Sequence, residues 1–184
     1  MSDKIFISAN QLLEDSFKLG SQILDKSFRP DLIIGLWRGG APVAIAIHEL
    51  FAAAGFKVDH IALRTQLYLG LDQRGPEVDI TGLEYIEASK AQFNKVLLVD
   101  DVFDSGSTMV ALIDKLAGIF SERQIDIRIA TVWYKPERNE SDLRPHYFIH
   151  TTQSWLVFPH ELRGVPKAEL VANKLGFEQV KRHL

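Results

Sequence analysis

None of the 184 residues is cysteine, so a disulfide framework and a thiolate-ligated metal site are both excluded. A basic excess is also missing: 21 Lys and Arg stand against 24 Asp and Glu, a net charge of −3. Nucleic-acid binders normally carry surplus cations, so no nucleic-acid partner is expected. No apolar run approaches the ~20 residues that a membrane-spanning helix needs. The first ten residues, MSDKIFISAN, lack the basic start and apolar stretch of a secretory leader. A soluble, cytoplasmic protein with no membrane partner is the expectation. Neither a repeat nor a low-complexity segment is present. Two nucleotide signatures are absent as well: no lysine precedes Ser107 or Thr108 to make GxxxxGK[ST], and GxGxxG occurs nowhere.

What is present alternates. Lys4–Ser8 reads as a short strand, and Leu12, Leu13, Phe17, Leu19, Ile23 and Leu24 recur at helical spacing behind a Ser8 or Asn10 cap. Asp31–Trp37 is a strand, Arg38-Gly39-Gly40 a turn, and Ala41–Ala54 an apolar helix with Pro42 in its first turn and Gly55 as its stop. Val58–Leu63, Val96–Val99, Ile125–Trp133 and Tyr147–His150 are further strands, and Ser107–Phe120 a further helix. This order predicts an α/β domain: a central, mostly parallel twisted sheet with helices on both faces and right-handed crossovers. A single domain spanning 1–184 is expected, with its core over 28–150. Residues 1–10 and 151–184 would form a small hood over the carboxyl edge of the sheet. Residues 64–82, with three glycines, a proline and no clear period, read as a long mobile lid loop.

The chemistry concentrates in residues 96–109, VLLVDDVFDSGSTM. Four apolar residues run into Asp100 and Asp101, then Asp104, then a loop of Ser105, Gly106, Ser107 and Thr108 opening a helix. Ligands of parallel sheets sit beyond the carboxyl ends of strands, where these acids should lie. A helix start exposes free amides to a phosphate, and Gly106 lets the backbone approach. Adjacent carboxylates repel unless a cation or hydroxyls meet them. The bland alternative is a simple turn with a helix cap.

This stretch closely resembles the phosphoribosyl-pyrophosphate motif of type I phosphoribosyltransferases. LIIGLWRGGAPVAIAIHEL resembles that family's pyrophosphate loop and following helix. TVWYKP resembles the strand and lysine of its 6-oxopurine branch, and QSWLVFPHE the hood of the xanthine-guanine and hypoxanthine enzymes. The blocks keep the family's order from Asp31 to Glu161. The resemblance implies transfer of phosphoribosyl from phosphoribosyl pyrophosphate to hypoxanthine, guanine or xanthine, with Mg²⁺, as a homodimer or homotetramer. It implies that Asp100 and Asp101 hold the ribose hydroxyls, directly or through Mg²⁺ and water. Ser105, Gly106, Ser107 and Thr108 would bind the 5′-phosphate, and Asp104 would accept a proton from the purine. Arg38 and Gly39 would hold pyrophosphate after a cis peptide between Trp37 and Arg38. Lys135 would donate to the 6-oxygen, Trp155 would stack on the base, and Leu156 would meet its edge through the backbone.

The pattern departs in places. The lid carries Leu67-Tyr68 rather than a Ser-Tyr pair, so Tyr68 and Arg64 are its candidate agents, while Arg74 reads as a surface charge. Glu161 stands where relatives often have aspartate, leaving a second, water-bridged metal contact as the expectation. The stretch after Arg163 matches nothing in the family; Leu170, Val171, Leu175 and Phe177 suggest a packing or subunit-contact element. Trp37 reads as a packed aromatic without chemistry. His146 and His150 lie on a strand with no acid to complete a zinc set, so they read as surface or packing residues. The rival reading is a regulator that keeps the fold to sense phosphoribosyl pyrophosphate; Asp104 and the lack of a basic face argue against it.

Overall fold

The computed structural model describes residues 4–69, 76–174 and 176–183. In chain order the elements are β1 (Lys4–Phe6), α1 (Ala9–Asp25), β2 (Leu32–Trp37), α2 (Gly40–Ala53), β3 (Asp59–Leu69) and β4 (Pro76–Thr81). There follow α3 (Leu83–Ser89), β5 (Lys95–Phe103), α4 (Ser107–Ile119), β6 (Asp126–Tyr134), β7 (Tyr147–Thr151), β8 (Trp155–Val157), α5 (Lys167–Asn173) and α6 (Phe177–Val180). Six strands make the central sheet in the order β4-β3-β2-β5-β6-β7. All its pairings are parallel except β3 with β4.

Strand β2, LIIGLW, shows why the sheet needs cover on both sides. Ile33 enters a cluster with Leu12, Leu19 and Ile23 of α1 and Val43, Ile47 and Phe51 of α2. Leu32, Ile34 and Leu36 enter the opposite cluster with Ile86 of α3 and Leu112 and Leu116 of α4. Every second side chain of a strand changes face, so an uninterrupted apolar strand demands helices above and below. Full burial of each such Leu or Ile is worth about 1.5–3 kcal/mol. The hood is a two-stranded parallel pair, β1 with β8, registered Lys4 to Trp155 and Phe6 to Val157. Leu170 and Phe177 bury behind it, whereas Val171 is exposed; Leu175 lies outside the described residues.

Three expectations change. Most of the irregular stretch from 64 to 82 is a β-hairpin: β3 runs on to Leu69 and pairs antiparallel with β4, Arg64 opposite Thr81. Val78 and Ile80 are partly buried and Asp79 and Thr81 exposed, a two-residue period that the flanking glycines obscure. Residues 70–75, including Arg74, lie outside the described residues. Strand β5 also does not stop at Val99 but continues to Phe103, because β6 keeps pairing with it through Phe103 opposite Tyr134. Trp37 is 55% exposed rather than packed.

A buried acid ties α1 to the sheet. Asp15 Oδ2 lies 2.8 Å from His150 Nε2 on β7, and Lys18 Nζ donates to Oδ1 at 2.9 Å. Burial alone would raise the Asp15 carboxyl, but the bonds and charges of Lys18 and His150 outweigh it and hold it below its ordinary 3.8. A depressed carboxyl stabilises the fold above its unfolded value and loses that contribution as pH falls through the lower folded value. Asp15→Asn should therefore cost about 1.5 kcal/mol at neutral pH. The gap to the parent in denaturant titrations should narrow once pH drops below 3.8. An equal gap at pH 3 and pH 7 would remove the ionic role.

Candidate active site

The two adjacent acids occupy a part of β5 that has lost one neighbour. Its pairing with β2 ends at Gly35 opposite Val99, one residue before Asp100, while pairing with β6 continues. The turn after β2 fills the gap. A Cβ on Gly40 would collide with Val99 O and Asp100 Cα, and one on Gly39 would overlap the Asp101 carboxylate. Glycine is thus the residue that admits this turn against the acids. The peptide between Trp37 and Arg38 is cis, and Arg38 points out exposed beside it. Arg64 is registered opposite Trp37 on β3, and its guanidinium donates to Gln66 Oε1.

Strand alternation sends the acids to opposite faces. Asp100 lines a cavity of ≈ 80 Å³ with Phe103, Asp104, Ser105, Gly106, Thr108 and Met109. Asp101 lies against Gly39 on the other face, 7% exposed, with His160 Nε2 3.5 Å from Oδ2. The His160 ring stacks on Phe158 with an 11° interplanar angle, so the hood supplies this contact. The Asp100 carboxyl is pushed well above its usual range, first by desolvation and second by the charge of Asp101; the amides of Asp101 and Gly40 oppose the shift. Such a pair is a carboxylate site short of positive charge.

Beyond Phe103 the chain turns through Asp104 and Ser105 to Gly106, whose φ of 86° lies in the left-handed region. That conformation suits glycine at the start of α4, and the Ser107 amide that follows donates to Ser105 Oγ at 3.4 Å. Ser105 and Ser107 hydroxyls share a hydrogen bond of 2.9 Å. A second loop backs this one: Glu140 N donates to Ser105 O at 3.0 Å, and Ser141 packs directly over Gly106.

Lys135 follows β6 and continues its register, its amide donating to Phe103 O at 2.9 Å. This sets a lysine side chain that is 6% exposed beside Asp104, with Nζ 3.6 Å from Oδ2. Arg138 Nε stands 2.8 Å from Asp104 Oδ1. That contact is an ion pair without hydrogen-bond direction, since Oδ1 is buried and accepts no hydrogen bond. The molecule thus holds an anionic acceptor with unused lone pairs next to a buried ammonium donor.

Most residues read from the sequence converge here: Asp100, Asp101, Asp104, the loop Ser105–Thr108, Arg38, Gly39 and Lys135. Trp155 stands on the hood 54% exposed, with a ring free to stack, while Leu156 is buried under it. Glu161 does not join the acids. Its carboxylate accepts from Phe158 N at 3.0 Å and closes the hood's own turn. Among the described residues no group of three or more His, Asp or Glu side chains could hold a metal. Tyr68 falls in β3, and its side chain lies outside the described residues. His160 and Arg138 are additional. The signal for Arg138 was its spacing of three from Lys135; nothing in the sequence distinguished His160.

Residues 8–164 match the family described as the phosphoribosyl transferase domain. The chain is 32% identical over 133 residues to bifunctional protein PyrR of Pasteurella multocida (strain Pm70), covering 69% of this chain and 73% of that one. It is 24% identical to xanthine phosphoribosyltransferase 1 of Saccharomyces cerevisiae over 209 residues, covering 96% and 99%. Purine phosphoribosyltransferase from Pyrococcus horikoshii Ot3 has a similar structure, with a TM-score of 0.66, 23% identity, and coverage of 89% and 97%.

Gly39→Ala should leave the backbone path intact, because φ at Gly39 is −66°, but displace the Asp101 carboxylate. Calorimetry should then show phosphoribosyl pyrophosphate with Mg²⁺ binding about tenfold or more weaker, since one lost charge-assisted contact is worth 1.5–3 kcal/mol. Unaltered binding would show that Asp101 plays no part in it.

Proposed function

The chain belongs to the phosphoribosyltransferase family, and we propose that it transfers 5-phosphoribosyl from phosphoribosyl pyrophosphate to a 6-oxopurine: hypoxanthine, guanine or xanthine. The products would be a nucleoside monophosphate and pyrophosphate, the chemistry of purine salvage. The observation that carries the reading is the Asp104 carboxylate, 37% exposed, held 3.6 Å from the buried ammonium of Lys135. An imidazole N–H and an adjacent 6-oxo group on a purine offer a donor and an acceptor at matching spacing. Adenine offers an amino group where Lys135 needs a carbonyl.

In this reading the purine nitrogen attacks C1′ as the C1′–oxygen bond to pyrophosphate breaks. Asp104 takes the ring proton, and Lys135 holds the electron density gathering on the 6-oxygen. Amides and hydroxyls of Ser105–Thr108 hold the 5′-phosphate, and Trp155 covers the base, a stacking contact worth about 1–3 kcal/mol. Arg38 and the amide of Gly39 take the pyrophosphate, with Arg64 one strand away as a further cation. Closure of the β3–β4 hairpin, with Tyr68 as its agent, would exclude water from the activated sugar. Asp100 and Asp101 would each offer a carboxylate to Mg²⁺ or its waters on their own side of the strand, because desolvation and mutual repulsion call for positive charge. Mg²⁺ would supply charge neutralisation on pyrophosphate, its remaining ligands being water and substrate oxygens. A homodimer or homotetramer in the cytoplasm is the proposed setting; among the described residues no helix is long and apolar enough to cross a membrane.

The second reading, a phosphoribosyl-pyrophosphate-responsive regulator, draws on the relative named bifunctional protein PyrR. Turnover separates the two. Pyrophosphate release should appear with oxopurines and be much weaker with adenine; silence with every base would favour the regulator. Asp104→Asn should keep sugar-phosphate affinity and lose about 10²-fold or more in kcat. Lys135→Ala should raise the KM for oxopurines and leave that for phosphoribosyl pyrophosphate unchanged. A preference of the parent for adenine would overturn the role of Lys135.

A further inference from the structure

We propose that Arg138 is a positioning residue that keeps Asp104 and Lys135 from closing on each other. The inference rests on the transferase reading above.

Lys135 and Arg138 bracket a single 3-10 turn at Pro136–Arg138, closed by Arg138 N donating to Lys135 O at 3.1 Å. Side chains three apart on such a turn eclipse, so both cations lie on the same side of it. Pro136 at the first position presets the backbone for the turn. The far side is tied down by the Glu140–Ser105 hydrogen bond and by Asn139, whose Oδ1 accepts from Ser141 N at 3.0 Å and whose Nδ2 donates to Leu143 O at 2.8 Å. Arg138 thus reaches Asp104 from a fixed base, although its side chain is 55% exposed.

The distances express a balance. A free ammonium and carboxylate in a buried setting close to about 2.7–2.9 Å. Here Lys135 Nζ stays 3.6 Å from Oδ2, while Arg138 Nε stands 2.8 Å from Oδ1. The carboxylate is drawn to the exposed cation and away from the buried one. Held from the Oδ1 side by Arg138, the Asp104 side chain stays 37% exposed, so its carboxylate remains within reach of a ligand N–H. The slack at Oδ2 leaves Lys135 available to a ligand carbonyl. Removing Arg138 would let Asp104 fall onto Lys135, and each would satisfy the other instead of the base.

The test compares the parent with Arg138→Met and Arg138→Lys in steady-state pyrophosphate release, varying base and sugar-phosphate separately. In Arg138→Met, kcat should fall and the KM for the base rise, with kcat/KM for the base lower by about tenfold or more. The KM for phosphoribosyl pyrophosphate should stay within about twofold. Arg138→Lys should recover part of the loss, and a crystal structure of Arg138→Met should show Lys135 and Asp104 in direct contact. Parent-like kinetics of Arg138→Met overturn the inference alone. So does an equal rise in both KM values, which would mean that the 138–141 loop merely supports Gly106. A parent inactive with every base overturns the transferase reading and this inference with it.

Discussion

Asp100 and Asp101 are forced together by a strand that cannot move. The residues before them, Val96 to Val99, have no exposed surface, and the ladder to β6 holds those after them. Two like charges placed this way are unfavourable in isolation, as the upward push on the Asp100 carboxyl records. The rest of the site is arranged around relieving that repulsion. Gly40 brings its amide to Asp100, Gly39 packs against the Asp101 carboxylate, and His160 leans in from the hood. The fold thus holds side by side two acids that repel one another when both are charged.

The same strand explains why acids so close in sequence face different sides of the sheet. Alternation turns Asp100 to the α4 side and Asp101 to the α2 side, so each cluster of the core ends at one acid. The extra pairing of β5 with β6 carries this geometry three residues further, to Asp104. Lys135 is bonded to Phe103 through its backbone, so the register of two neighbouring strands sets the Asp104–Lys135 distance. Loops usually carry reactive groups on rigid scaffolds. Here the decisive pair sits where two strands end side by side.

Much of this was legible because local pattern and tertiary demand agree. The apolar strands β2 and β5, the Ser8 cap of α1 and the start of α4 at Ser107 all follow from composition and spacing over a few residues. The hairpin from 64 to 81 was not, since its two-residue period is carried only by partly buried side chains among charges and glycines. The end of β5 was misread for a similar reason: acids mark a strand end by propensity, but pairing with β6 overrides propensity. Glu161 was assigned by its place in a motif, whereas its nearest donor, Phe158 N–H, is set by a local turn. His160 was invisible because its role depends on β1 and β8 pairing across the length of the chain.

A site that only senses phosphoribosyl pyrophosphate needs the acids, the glycine turn and the hydroxyl loop, all of which grip sugar and phosphate. It has no use for a carboxylate drawn to Arg138 and left 37% exposed beside the hydroxyl loop. Nor does it need a buried ammonium held short of full contact with that carboxylate. Both groups keep bonding capacity that a donor and an acceptor at purine spacing would fill. Groups left unsatisfied in this way point to what arrives, and here they point to a base. The balance between Arg138 and Lys135 over Asp104 therefore weighs toward transfer, since sensing the sugar phosphate gives no reason to maintain it.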